Sequence, residues 1–192
     1  MSGMETVVSI ALGIGLAAAV GFRVFLPLLI ASIAAHTGHI HLDANFAWLG
    51  SLPAMTMLGV AAVVEVLAYY VPAIDNLLDT ITTPLALAAG VSAAVITDLP
   101  PLIKWSTAII AGGGVAAITQ GVTTLVRAKS TAFTAGVGNP VISTVEMIAA
   151  VVVALLAVLA PLIAIALVAA FCLLVVRAVR RFLRASSAAK TS

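Results

Sequence analysis

Ala149-Ala-Val-Val-Val-Ala-Leu-Leu-Ala-Val-Leu-Ala-Pro161-Leu-Ile-Ala-Ile-Ala-Leu-Val-Ala-Ala-Phe-Cys-Leu-Leu-Val-Val176 contains no charged side chain. No period-two alternation marks it as a barrel strand, and no polar stripe marks it as a surface helix. A helix needs about 20 apolar residues to cross about 30 Å of hydrocarbon. Taken with its flanks, the stretch makes two such helices, Pro140–Leu159 and Leu162–Leu183, meeting at Ala160-Pro161. That turn has no polar residue, so one kinked helix is the alternative.

Working outward, four more apolar segments follow: Thr6–Ala35, Pro53–Val71, Thr80–Thr97 and Trp105–Val126. The first would be about 45 Å long at 1.5 Å per residue, so it must tilt strongly or break near Gly21 and Pro27. The expected fold is all-α: one integral membrane domain, residues 1–192, with about six transmembrane helices and a basic tail at 184–192. The composition agrees. Of the 192 residues 63% are hydrophobic and 8% charged, and mean hydropathy is +1.26. A soluble domain carries about a quarter charged residues, so a water-soluble globule is excluded. Disorder is excluded by the aliphatic content. A net charge of +2 gives no footprint for nucleic acid, and the single Cys172 makes no disulfide framework.

The positive charges suggest an orientation. Arg177, Arg180, Arg181, Arg184 and Lys190 crowd the C-terminus, while Arg127 and Lys129 follow the fourth segment. With both groups cytoplasmic and six spans, both termini are cytoplasmic and His36–Ala47 lies outside. With Glu5 the only early charge, the first segment reads as a retained helix and not as a signal peptide.

Two internal echoes suggest a duplication. Ala61–Pro72 resembles Ala149–Pro161, and Gly13–Ala19 resembles Gly112–Ala117. Repeats at about 6–104 and 105–183 would each hold three spans and so run antiparallel, the plan of many transporters. A duplicated bundle without transport is the plainer alternative.

Several motifs resemble a known family. They are Gly21-Phe-Arg-Val-Phe-Leu-Pro-Leu-Leu29, Glu65-Val-Leu-Ala-Tyr-Tyr-Val-Pro-Ala-Ile-Asp-Asn-Leu-Leu-Asp79 with Thr83-Pro84-Leu85-Ala86, Arg127-Ala-Lys-Ser-Thr131, Gly136-Val-Gly-Asn-Pro140 and Ser143-Thr-Val-Glu146. In this order they look like a bacterial family of small integral membrane proteins defined only as a domain of unknown function. The likeness runs from about Val7 to Val176. It implies a multi-pass protein of a bacterial plasma membrane and no particular activity.

In so apolar a chain each polar group inside a span calls for a reason. Arg23 and Glu65 fall within the first two segments, where a buried pair, a translocation path and snorkelling are all open. Asp75 and Asp79, one helical turn apart, suit loop acids, a cation or proton site, or a magnesium diphosphate as in membrane prenyl transferases. Those enzymes carry two such motifs, and one is present here. Asn139-Pro140 reads as an N-cap followed by proline at N1, beside Arg127 and Lys129. This is either an ordinary loop or an anion site. Glu146, two turns further, is placed to pair with Arg127. His36, His39, His41 and Asp43 offer a weak metal set. Gly13, Ala17, Gly21 and Gly112, Ala116 have the four-residue interval of close helix packing, within the bundle or in a homodimer. Trp48, Trp105, Tyr69 and Tyr70 read as interfacial aromatics.

No phosphate-binding loop and no nucleophile with a histidine partner is present, so soluble-type catalysis and a cofactor are not expected. The reading that follows is a small solute or ion permease in the lipid bilayer, with Arg23, Glu65, Asp75, Asp79, Arg127, Asn139 and Glu146 as pathway residues. The alternatives are a membrane scaffold or accessory subunit and, less so, an enzyme acting on lipid phosphate.

Overall fold

Helix α1 (Gly3–Val20) is apolar on every face, and its second half, Ala11 to Val20, is almost wholly buried. A helix with no polar side belongs at a centre, and α1 packs against α4, α6, α7 and α8. The computed structural model describes residues 3–96, 99 and 101–190; the side chains of 72, 73, 75–79, 183 and 185–190 lie outside that description.

Glycine permits the close approach. A Cβ on Gly13 would lie 3.0 Å from Ala94 Cα, one on Gly15 2.8 Å from Ala157 Cβ, and one on Gly21 2.5 Å from Thr119 Cβ. The small-residue faces of α1 and of Gly112–Ala116 are therefore used within the chain.

These contacts also set directions. Gly13 meets Ala94, Gly21 meets Ala116 and Thr119, and Gly90 meets Gly112 and Ala116. Hence α4 (Pro72–Val95) runs antiparallel to α1, and α6 (Gly114–Thr134) runs parallel to it. The short α5 (Pro101–Thr107) and a π-helical turn, Ala108–Gly113, lead into α6. Gly15 meets Ala157 and Ala164, Arg23 reaches Ser143, and Phe22 packs on Phe171 with ring centroids 6.3 Å apart. So α7 (Asn139–Leu159) is antiparallel to α1 and α8 (Pro161–Lys190) parallel. The two form a hairpin at Ala160, not one kinked helix.

The first segment departs from expectation. α2 (Phe25–His36) does not continue α1. Its residues Ile30, Ile33 and Ala34 lie beside Leu155, Val158 and Leu159, the level at which Gly15 meets Ala157. The chain therefore reverses at Gly21–Val24, and the expected single span Thr6–Ala35 is two antiparallel helices. A tight turn closes α1, with the N–H groups of Phe22 and Arg23 both donating to Ala19 O, at 3.0 and 3.2 Å. Pro27 sits in the first turn of α2, where a missing N–H costs nothing.

From α2 the chain passes through a 3-10 helix, Ala44–Gly50. It then bends by 67° into α3 (Leu52–Ala68), which starts at the Ser51 N-cap. α3 returns antiparallel to α2, since Ser32 bonds Leu49 O at one end and Val24 meets Glu65 at the other.

Four stretches are long and apolar enough to cross a membrane: Gly3–Val20, Pro101–Thr134, Asn139–Leu159 and Pro161–Phe182. The bent pair ending in α3 makes a fifth. Thr80–Val95, expected as a sixth, is helical but short, as is Phe25–His36. This is a helical bundle of membrane type with four or five full-length crossings, and six are not reached. The echo between Gly13–Ala19 and Gly112–Ala117 falls on stretches running the same way, which is not the pairing of an inverted repeat.

Each successive helix reverses direction, and the α1–α2 reversal adds a passage. The start of α1 and the end of α8 therefore lie at opposite ends of the bundle, where the charge pattern led us to expect both on one side. With Cys172 replaced by Ala, Glu5→Cys and Arg184→Cys should react with a membrane-impermeant maleimide from opposite faces of sealed vesicles. Labelling of both from one face would contradict the hairpin.

Candidate functional site

The first N–H groups of a helix have no partner in their own helix. α2 begins inside the bundle, where no bulk water takes them. Glu65 on α3 does so: Val24 N donates to Oε1 at 2.7 Å and Phe25 N to Oε2 at 3.1 Å. A carboxylate is also favoured at the positive end of a helix. Glu65 is buried because the turn needs it.

The expected neighbour pair, Arg23 with Glu65, is thus arranged otherwise. Arg23 Nη2 donates to Ser143 O at 3.0 Å and stands 3.7 Å from Glu146 Oε2. Arg127 grips the same carboxylate, Nε donating to Oε1 at 3.4 Å and Nη2 to Oε2. The expected Arg127–Glu146 pair is present. Arg23, Arg127 and Glu146 are 1%, 2% and 4% exposed, so this charge lies inside protein.

Tyr69 organises the group. The Cζ of Arg23 is 3.8 Å from its ring centroid and that of Arg127 4.0 Å. Two guanidinium groups cannot stack that closely on one face, so they sandwich the ring, a favourable cation–π geometry. The Tyr69 hydroxyl shares a 3.0 Å hydrogen bond with Thr82, to which Gln120 Nε2 also donates at 3.4 Å. Ser143 Oγ donates to Tyr69 O at 3.3 Å. Tyr69 had read as an interfacial aromatic; it is buried, unlike Trp48 and Trp105. The available signal was its spacing, one turn after Glu65 on the same face of α3.

Asn139 is buried nearby but is not the N-cap. Gly138 holds that position, and Asn139 Nδ2 donates to Thr131 Oγ1 at 2.9 Å. The turn before it needs glycine at Gly136, whose φ is +87°. Asp75 and Asp79 belong to the backbone of α4; their side chains lie outside the described residues.

The histidines are not gathered. His36 Nδ1 bonds Gly50 O at 2.9 Å, His39 bonds Thr37 at 2.8 Å, and no metal-binding group of three exists among the described residues. Asp43 pairs instead with Lys104, and its backbone N–H donates to Ile96 O at 2.8 Å. This clamps the connection to the end of α4. Lys104, with Asn45 N–H, holds the Asp43 carboxyl below the usual carboxylate range.

Beside the cluster, α3 and α4 diverge around a groove of about 740 Å³. Met57, Val60, Val64, Ile81 and Leu85 wall it, with Glu65 and Thr82 at its floor.

A family model described as a domain of unknown function, DUF4126, matches residues 10–181, and the chain belongs to that family. No curated protein matches it significantly, and no solved structure does.

Removing one member of a buried ion pair leaves the other uncompensated, at a cost of about 3–5 kcal/mol. Glu146→Gln and Arg127→Gln should each lower unfolding stability in detergent on that scale. The double variant should fall short of the sum by more than about 1 kcal/mol; strict additivity would refute the coupling. The Asp43 pair has its own signature. Its folded pKa is depressed, so the stabilisation is complete above the unfolded value of about 3.9 and is lost as pH falls through the lower folded value. The melting-temperature gap between the native chain and Asp43→Asn should therefore be full at pH 7 and narrow below about pH 4.

Proposed function

We propose that this DUF4126 member is a multi-pass plasma-membrane protein that passes a small polar solute or ion through the buried charged cluster, as a permease does. One observation carries the reading. Arg23, Glu65, Arg127 and Glu146, from the hairpin turn and three other helices, converge around Tyr69 instead of scattering as isolated pairs. Ionisable side chains inside membrane helices are costly and commonly mark solute, ion or proton paths. Helices that stop inside the bundle, as α1 and α2 do, present their ends to such paths. In this reading Glu65, Glu146, Asp75 and Asp79 carry protons or cations, while Arg23, Arg127 and Asn139 hold an anionic group. The arginine-bearing end of α8 faces the cytoplasm, following the positive-inside rule.

A second reading rests on the closure of the same cluster. Glu146 already occupies both guanidinium groups, and Glu65 already caps α2. That is also how a scaffold would lock its helices in register.

Proteoliposomes loaded with a pH dye and given potassium, chloride or phosphate gradients separate the two. The permease reading expects gradient-driven flux of at least one ion, falling about tenfold or more in Arg23→Ala and Glu65→Gln. If neither change alters any flux while both lower the melting temperature, the scaffold reading stands.

A further inference from the structure

The last third of α8 has features that the buried cluster does not explain. Arg177, Arg180, Arg181 and Arg184 are exposed, and their spacing of i, i+3, i+4 and i+7 puts all four on one helical face. Val176, Val179 and Phe182 take the opposite side and are exposed as well, Phe182 by 74%. None of the four arginines pairs with a carboxylate among the described residues.

Their level in the bundle is defined. α8 starts at Pro161, so Arg177 lies about 24 Å along its axis and Arg184 about 35 Å. The hydrocarbon core is about 30 Å thick, and the stripe therefore straddles its edge. A second marker agrees. Phe171 packs on Phe22 at the hairpin turn, and Arg177 is about 9 Å beyond it, close to the level where α7 begins. From there α8 runs on past its neighbours. Lys129, near the end of α6, is exposed at the same end of the bundle.

We propose that this stripe is a docking surface for anionic phospholipid headgroups of the adjacent leaflet. The occupant follows from charge and depth together. Guanidinium groups at the edge of the hydrocarbon are within reach of lipid phosphates, and arginine stems lie along acyl chains while their heads reach outward. Val176, Val179 and Phe182 turn toward the chains, completing an amphipathic surface suited to an interface. A soluble acidic partner would have no use for that apolar side. The proposal is independent of whether the bundle transports anything.

The full chain, reconstituted with trace spin-labelled phosphatidylglycerol or phosphatidylcholine, tests it through the motionally restricted fraction of each label. The expected result is a preference for phosphatidylglycerol of about threefold or more. It should be abolished in R177Q/R180Q/R181Q/R184Q, kept in the matching quadruple Lys variant, and weakened at 1 M salt, where the screening length is about 3 Å. Equal restriction of the two lipids, or an unchanged preference in the Gln variant, overturns the proposal. Size-exclusion profiles matching the native chain establish that the variants are folded.

Discussion

Glu65 holding the free N–H groups of Val24 and Phe25 is the interaction on which the rest of the bundle depends. A chain that turns round inside a membrane protein exposes polar backbone with no water to receive it. Without a fixed acceptor on α3, α2 would have to start elsewhere or α1 would have to run on. Because the acceptor exists, α1 and α2 fold against each other, Arg23 is delivered to the middle of the bundle, and the termini fall at opposite ends.

Around that turn, charge and packing support one another. Small residues bring α1 into near-backbone contact with α4, α6 and α7, leaving space for few side chains. Those admitted are long and planar, and stack: two guanidinium groups on one tyrosine ring, joined through a single carboxylate. The same economy of space explains why so polar a centre is compatible with so apolar a chain. The charges face one another and α1, while α8 and the outer side of α3 present aliphatic residues outward.

Part of the site was legible before folding. Arg23, Glu65, Arg127 and Glu146 stood out because charge is scarce, and the Arg127–Glu146 pairing followed from their positions on either side of one connector. The partner of Glu65 was not legible, because a backbone N–H leaves no mark in sequence. Tyr69 was misplaced for a related reason. An aromatic near a span end is interfacial by default, and only the position of two distant arginines makes it a platform. The Asn139 cap slipped by one residue, since Gly138 can take the cap position and frees the amide to bond Thr131.

What the residue order determined by itself was the solvent. Continuous aliphatic runs and a charge content of 8% demand helices in lipid, because only helices close their own backbone hydrogen bonds there. It also determined which few side chains could matter. Tertiary structure alone decided that the first apolar run is a hairpin, which acceptor receives its turn, and which end of the bundle each terminus occupies. Hydropathy counts residues but is blind to direction. A thirty-residue apolar run reads the same whether it crosses once or doubles back, and only contacts between residues far apart in the chain tell the two apart.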